Sequence, residues 1–342
     1  MGFEWLYCCL PVACLSLLSS RLSSCFPCYP RAVLALARSR PIARLMKRMQ
    51  RGGLAFRTKM EGAEISGQFQ IHEEMDGFEV TPPNVVAKRV ILYFHGGAHF
   101  TGSIWSHANL IGRLAVATKA VIIAVNYRLA PLHPFPVGLN DAVAAWEWVM
   151  KRFPDSAVAL AGDSAGGNLA FALLVELVRS SGSLPVAIVG LSPWLLLDLP
   201  TVHKVRRCNP ILGGDLVLAV LVMRRKGMKG ANQALDEVMK GLGHDVAAAQ
   251  YYQDSSPRDP RISPCLIDEE SLKMFPPVLL HAGENEALVY DSVQLAKSCE
   301  EAQVEVELRL YPGKPHVFQF FASEAAADSL QRIGLFLEKH WR

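Results

Sequence analysis

Acidic side chains are almost missing from the first 60 residues of this 342-residue chain: Glu4 stands alone there against ten lysines and arginines. The overall charge of +3 is thus a leader of +9 joined to a remainder of about −6, and it gives no footing for nucleic acid on the main body. Cysteine is scarce after the leader. Cys8, Cys9, Cys14, Cys25 and Cys28 lie within it, and only Cys208, Cys265 and Cys299 follow. Three scattered thiols make no disulfide framework, which favours a reducing compartment. The pair Cys25-Phe-Pro-Cys28 has no second pair to complete a zinc site. No H-E-x-x-H, Walker loop or G-x-G-x-x-G occurs, so the sequence implies no metal, ATP or dinucleotide cofactor. The apolar run from Trp5 to Leu18 is interrupted by Pro11 and is shorter than the roughly 18 to 20 residues of a spanning helix.

What the leader does contain leaves three readings open. Cysteines beside an apolar run and a basic stretch suit S-palmitoylation and attachment to a membrane surface. Basic residues after the apolar run would then keep the rest of the chain on the cytoplasmic side. An Arg-rich, nearly acid-free leader also fits organelle targeting. Ala32 to Met49, which mixes apolar residues with arginines around Pro41, fits a kinked helix packed on the main domain.

Beyond the leader, 51% hydrophobic content is ample for a large core. Val158 to Val175, VALAGDSAGGNLAFALLV, reads as a short strand to Ala161, a tight turn from Gly162 to Gly167, and an apolar helix ending near Arg179. Gly162-Asp163-Ser164-Ala165-Gly166 fits the G-x-S-x-G nucleophile elbow. A serine at such a strand-to-helix turn needs neighbours without bulk, and the helix N-terminus aims free N–H groups and its positive dipole end at the serine oxygen. Upstream, the buried strand Arg89 to Phe94 runs into His95-Gly96-Gly97-Ala98, a loop of the kind that supplies backbone donors to an oxyanion. Gly96, Gly97, Ala98 and Ala165 are the candidate oxyanion-hole residues. Further strands at Ala120 to Val125 and Val186 to Leu191 alternate with helices, Val137 to Met150 among them. That alternation argues an α/β protein with a central, mostly parallel sheet and helices on both faces.

In chain order, His95 to Ala98, the stretch Asn126 to Pro136, Gly162 to Gly167 and Ser192-Pro193-Trp194 resemble the hormone-sensitive-lipase-like family of α/β-hydrolases, from about residue 85 onward. The resemblance implies the α/β-hydrolase fold with a helical cap. The domains expected are an apolar, Cys-rich leader at 1–28, a basic helical segment at 29–80 forming part of the cap, and a catalytic domain at 81–342. The rest of the cap would be an insertion at about 199–260, over the sheet edge where such folds bind ligands.

The last two strands supply an acid and a base. Pro276 to His281 ends in Ala282-Gly283-Glu284-Asn285-Glu286-Ala287-Leu288, where the family's G-x-x-D-P-L pattern lays the acid on Glu286, with Glu for Asp and Ala287 for Pro. Asp291 is the fallback acid. Val304 to Tyr311 alternates strictly and ends in Pro312-Gly313-Lys314-Pro315-His316, which gives the chain order Ser, acid, His of α/β-hydrolases. Imidazole exchanges protons near neutral pH, and a neighbouring carboxylate fixes its tautomer. The other histidines are read as packing or surface residues.

These residues predict a serine carboxylic-ester hydrolase acting through Ser164, His316 and Glu286 on small, lipophilic esters of short or medium acyl chain. A ligand-binding protein on the same scaffold and an amide or lactone hydrolase are the alternatives. No nucleic-acid partner is expected.

Overall fold

The β-branched, apolar runs of the chain become the inner strands of one sheet in the computed structural model, which describes residues 60–198, 248 and 251–341. The strands are β1 (Glu64–His72), β2 (Met75–Thr81), β3 (Arg89–Phe94), β4 (Val121–Val125), β5 (Ala157–Asp163), β6 (Ile188–Leu191), β7 (Val278–Gly283) and β8 (Val306–Tyr311). They form an eight-stranded sheet in the order β1-β2-β4-β3-β5-β6-β7-β8. β1 and β2 pair antiparallel with each other, and β2 pairs antiparallel with β4. Every neighbour from β4 onward is parallel.

Alternation along the strands builds two cores. Val90, Leu92 and Phe94 of β3 face one side with Ile123, Leu160 and Phe171. Ile91 and Tyr93 face the other with Leu114, Val189, Leu279, Ile333 and Phe336. Period-two side-chain direction places successive residues on opposite faces, and both faces are covered, as a parallel sheet requires. Helices α1 (Ile104–Thr118) and α6 (Glu324–His340) contribute to the second core. Helices α2 (Val137–Arg152) and α3 (Ser164–Arg179) contribute to the first. α3 is buried along nearly its whole length, Ser164 to Val178 with Glu176 excepted, which is why its sequence is apolar all round. The short α4 (Glu269–Leu272) and α5 (Val289–Glu301) flank β7.

Register puts the functional loops on one edge. Phe94 lies opposite both Val125 and Gly162, Gly162 opposite Gly190, Leu191 opposite His281, and Gly283 opposite Tyr311. The C-terminal ends of β3, β5, β6, β7 and β8 are therefore level, and the loops that leave them share one rim, the ligand-binding side of open α/β sheets.

Two readings from the sequence need correction. Residues 64–72 and 75–81 are strands of a hairpin, not the continuation of a helical segment to residue 80. β1 is a largely exposed edge strand rich in polar residues, so its period-two signal is faint, and the hairpin register turns at Glu73-Glu74 without a glycine. Second, β6 starts at Ile188, not Val186, and β5 runs on to Asp163. The leader, the earlier part of the 29–80 segment and most of the 199–260 insertion lie outside the described residues. Among the described residues, no helix is long and apolar enough to cross a membrane.

Candidate active site

The elbow forms because two glycines stand where side chains cannot. A Cβ on Gly162 would meet the Gly166 carbonyl oxygen at 2.4 Å, and one on Gly166 would meet that of Phe94 at 2.1 Å. Between them Ser164 holds a left-handed backbone, φ 52°, the strained turn that lifts a side chain onto the rim. Its hydroxyl lies 2.9 Å from His316 Nε2. His316 arrives from the turn after β8, whose next residue, Val317, is also left-handed at φ 43°.

Glu286 occupies the turn after β7 and faces the other ring nitrogen. Its Oε1 is 3.6 Å from His316 Nδ1. Its Oε2 accepts from Ser192 Oγ at 2.6 Å and from the Gly283 amide at 3.1 Å. Glu284 is exposed. Asp291 is buried and accepts the amides of Leu195 and Leu196 at 2.9 and 3.0 Å through one oxygen. The fallback acid thus braces the loop after β6, while Glu286 presents its carboxylate to the imidazole.

The loop after β3 turns sharply, with Gly97, Ala98 and His99 at φ 123°, 55° and 60°. The Gly97 carbonyl is tied back by the amides of Phe100 and Thr101 at 2.9 and 2.8 Å. Among the described residues, the amides of Gly97, Ala98 and Ala165 donate to no protein acceptor. Gly96 differs from expectation. Its N–H donates to Asp163 Oδ1 at 3.0 Å, so it is not available to an oxyanion. Its part is spatial, since a Cβ there would lie 2.3 Å from Asp163 Oδ2 and 3.1 Å from Ser164 Cβ.

Beneath this loop Asp163 is the hub of a buried polar cluster that the sequence reading did not single out. Tyr93 Oη donates to Asp163 Oδ1, and His107 Nε2 is 3.3 Å from Oδ2. Burial pushes the Asp163 carboxyl up, but the neighbouring His107 and the hydrogen bond from Tyr93 outweigh it and hold the group below the usual carboxylate range. His95 is pushed down to about 3 by burial first and by His107 second, and its Nδ1 donates to the Gly96 carbonyl at 2.8 Å. His99 is held down to about 3, chiefly by burial. It donates through Nε2 to Asn168 Oδ1 at 3.0 Å and stacks on Tyr251 with ring centroids 3.8 Å apart. Asn168 Nδ2 in turn reaches the carbonyls of Trp194 and Ile262. The remainder of the Asn126 to Pro136 motif is scaffold. Asn126 Oδ1 accepts the Ile104 amide at the start of α1, and Arg128 grips Asp141 of α2 at 2.6 Å.

The order of elements, the level strand ends and the Ser–His–carboxylate contact can be set beside known proteins. A family model for the alpha/beta hydrolase fold matches residues 91–320. A crystal structure of a hormone-sensitive lipase from a metagenome library superposes with a TM-score of 0.68 at 29% identity, covering 91% of this chain and 98% of that one. The chain belongs to the hormone-sensitive-lipase-like family of α/β-hydrolases. This hydrolase is also 32% identical to the esterase LipU of Mycobacterium tuberculosis over 255 residues, 74% of this chain and 78% of that one. It is 33% identical to an acetyl-hydrolase of Streptomyces hygroscopicus over 235 residues, 68% of this chain and 69% of that protein. Ser192 and Asp163 are buried side chains at the rim to which the sequence assigns no role. Ser192 did stand within a recognised motif, directly after a strand, and that was the available signal.

Proposed function

We propose that this carboxylesterase/lipase-type hydrolase cleaves carboxylic esters through an acyl-enzyme on Ser164. The observation that carries the reading is the 2.9 Å contact between Ser164 Oγ and His316 Nε2. In the first half-reaction Oγ attacks the ester carbonyl carbon as its proton passes to Nε2. The carbonyl oxygen takes up negative charge facing the amides of Gly97, Ala98 and Ala165, and such a donor is typically worth ~3 to 4 kcal/mol in the transition state. Collapse breaks the bond to the alcohol oxygen, which leaves with the proton from Nε2. Water then repeats the sequence on the acyl carbon, giving its proton to Nε2, and the Ser164 oxygen departs with it. Glu286 orients the imidazole and balances the imidazolium charge.

The substrate in this reading is a lipophilic ester of short to medium acyl length; the support is that the side chains packed around the Ser164 turn, Ala165, Trp194, Leu197, Tyr251 and Leu288, are mostly apolar. The Cys-rich residues 1–28 support a membrane-surface location for the enzyme, which cell fractionation with and without them tests. For the chemistry, the Ser164→Ala variant is assayed on p-nitrophenyl butyrate. Turnover is expected to fall by at least about 10³-fold with the fold intact, and wild-type turnover would overturn the reading.

A further inference from the structure

The loop that follows β6 touches all three turns of the site. Trp194 donates its amide to the Ser164 carbonyl at 3.0 Å, behind the nucleophile. Ser192 donates its amide to the His281 carbonyl of β7 at 2.7 Å. The Ser192 side chain is wholly buried, and its hydroxyl is engaged twice. Oγ gives its proton to Glu286 Oε2 at 2.6 Å and accepts the Val317 amide, the peptide next to His316, at 3.1 Å. One hydroxyl therefore bridges the acid turn and the base turn. The backbone at Ser192 is left-handed, φ 49°, a conformation disfavoured for a non-glycine residue. Glycine would relieve it, so the position holds a side chain against the local backbone preference.

The acid explains what this hydroxyl is for. Glutamate has one more rotatable bond than aspartate, and its carboxylate needs an external hold to aim at a ring. Ser192 and the Gly283 amide both seize Oε2, which leaves Oε1 as the oxygen facing His316. Across the 3.6 Å gap, Oε1 and Nδ1 are both buried, and each is without a hydrogen-bond partner. Two buried, unpartnered, complementary atoms at that spacing form a contact that tightens when charge develops on the ring, as catalytic hydrogen bonds commonly do on passing from the free enzyme to the transition state. We infer that Ser192 is a positioning residue of the ester hydrolysis proposed above: it fixes the Glu286 carboxylate and ties it to the His316 turn, so that acid and base move as one unit. It touches no reacting atom and acts through Glu286.

The test is a kinetic cycle on the full-length enzyme with p-nitrophenyl butyrate. Ser192→Ala is expected to lower kcat by roughly 10- to 100-fold, the scale of a small misplacement of catalytic groups, with KM changed less than about threefold. Ser192→Gly suits the left-handed backbone and should be equally slow. A fully active glycine variant would show that the backbone, not the hydroxyl, matters, and would overturn the inference. In a Glu286→Gln background, Ser192→Ala should add less than about twofold, because its effect passes through that carboxylate. Full additivity would overturn the inference, as would wild-type kcat in both single variants. Ser164→Ala separates the two layers of argument. If it abolishes turnover while the Ser192 variants are normal, only the role of Ser192 fails; if it leaves turnover intact, the serine mechanism itself fails.

Discussion

Asp163 accepts the amide of Gly96 at 3.0 Å, so the residue that precedes the nucleophile in sequence also pins the loop carrying the candidate oxyanion donors. One carboxylate holds the Ser164 turn and the loop after β3 in register, and its second oxygen faces His107 on α1 at 3.3 Å. Asp163→Asn keeps the shape but removes the charge and turns an N–H₂ group toward one neighbour. Thermal melting should show a loss of about 1 to 3 kcal/mol, with a fall in kcat on p-nitrophenyl butyrate. An unchanged melting temperature together with an unchanged kcat would show that this cluster is not a brace.

Glu286 and Asp291 are expected to fail in different ways. Glu286→Gln leaves packing intact but spoils the ring's partner, and an amide in place of the acid costs up to about 10⁴-fold in kcat in a comparable triad. Asp291→Ala strips the amides of Leu195 and Leu196 of their acceptor, and each buried donor left unpaired costs about 1 to 3 kcal/mol. Parallel measurement of kcat and of urea midpoint separates the two. If Asp291→Ala were the slower enzyme at full stability, the acid would have to be reassigned.

Gly283 ends β7 under the base turn. A Cβ there would sit 2.2 Å from the Lys314 carbonyl oxygen, so Gly283→Ala must push the strand end away from the loop that carries His316. Overpacking of this kind typically costs about 1 to 3 kcal/mol. The expected result is a lower melting temperature and a kcat reduced more than KM is raised. Full activity in the variant would mean that the two turns separate without consequence.

Acid should weaken the fold before most carboxylates titrate. His95, His99 and His281 are each held down to about 3, mainly by burial, whereas in the unfolded chain a histidine titrates near 6.5. Between those values the unfolded state binds the extra protons, so stability is complete above about pH 6.5 and declines as pH falls toward 3. Each imidazole contributes a slope of at most ~1.4 kcal/mol per pH unit. Asp163, held below its ordinary value, adds a loss at lower pH, from about pH 4 downward. Urea midpoints should be flat from pH 7 to 8 and lower at pH 5. Equal midpoints at pH 7 and pH 5 would show that these histidines take up protons without opening the fold.

Much of this enzyme is legible in one dimension. β3 and the end of α3 fall where apolar runs place them, because a strand buried on both faces and a helix buried all round both appear as unbroken hydrophobic sequence. The strained turn at Ser164 is equally legible, since such a turn admits few residue types and so leaves a motif. β1 escaped because an exposed edge strand needs little apolar alternation. Gly96 departs from its motif role because a motif shows which amides lie in a loop but not which are already hydrogen-bonded.

Chain order and local residue type are enough to single out Ser164 and His316 as candidates, each in a short segment of telling composition, whereas Glu286 is picked out over Asp291 only by its place in the family pattern. Chain order and residue type say nothing of distance. Ser192 is 94 positions from Glu286 and 125 from Val317, and its hydroxyl acquires a role only when level strand ends bring three turns to one rim. Which carboxylate oxygen faces the imidazole, and what holds it there, is a property of packing between segments remote in the chain, and no local pattern of residues records it.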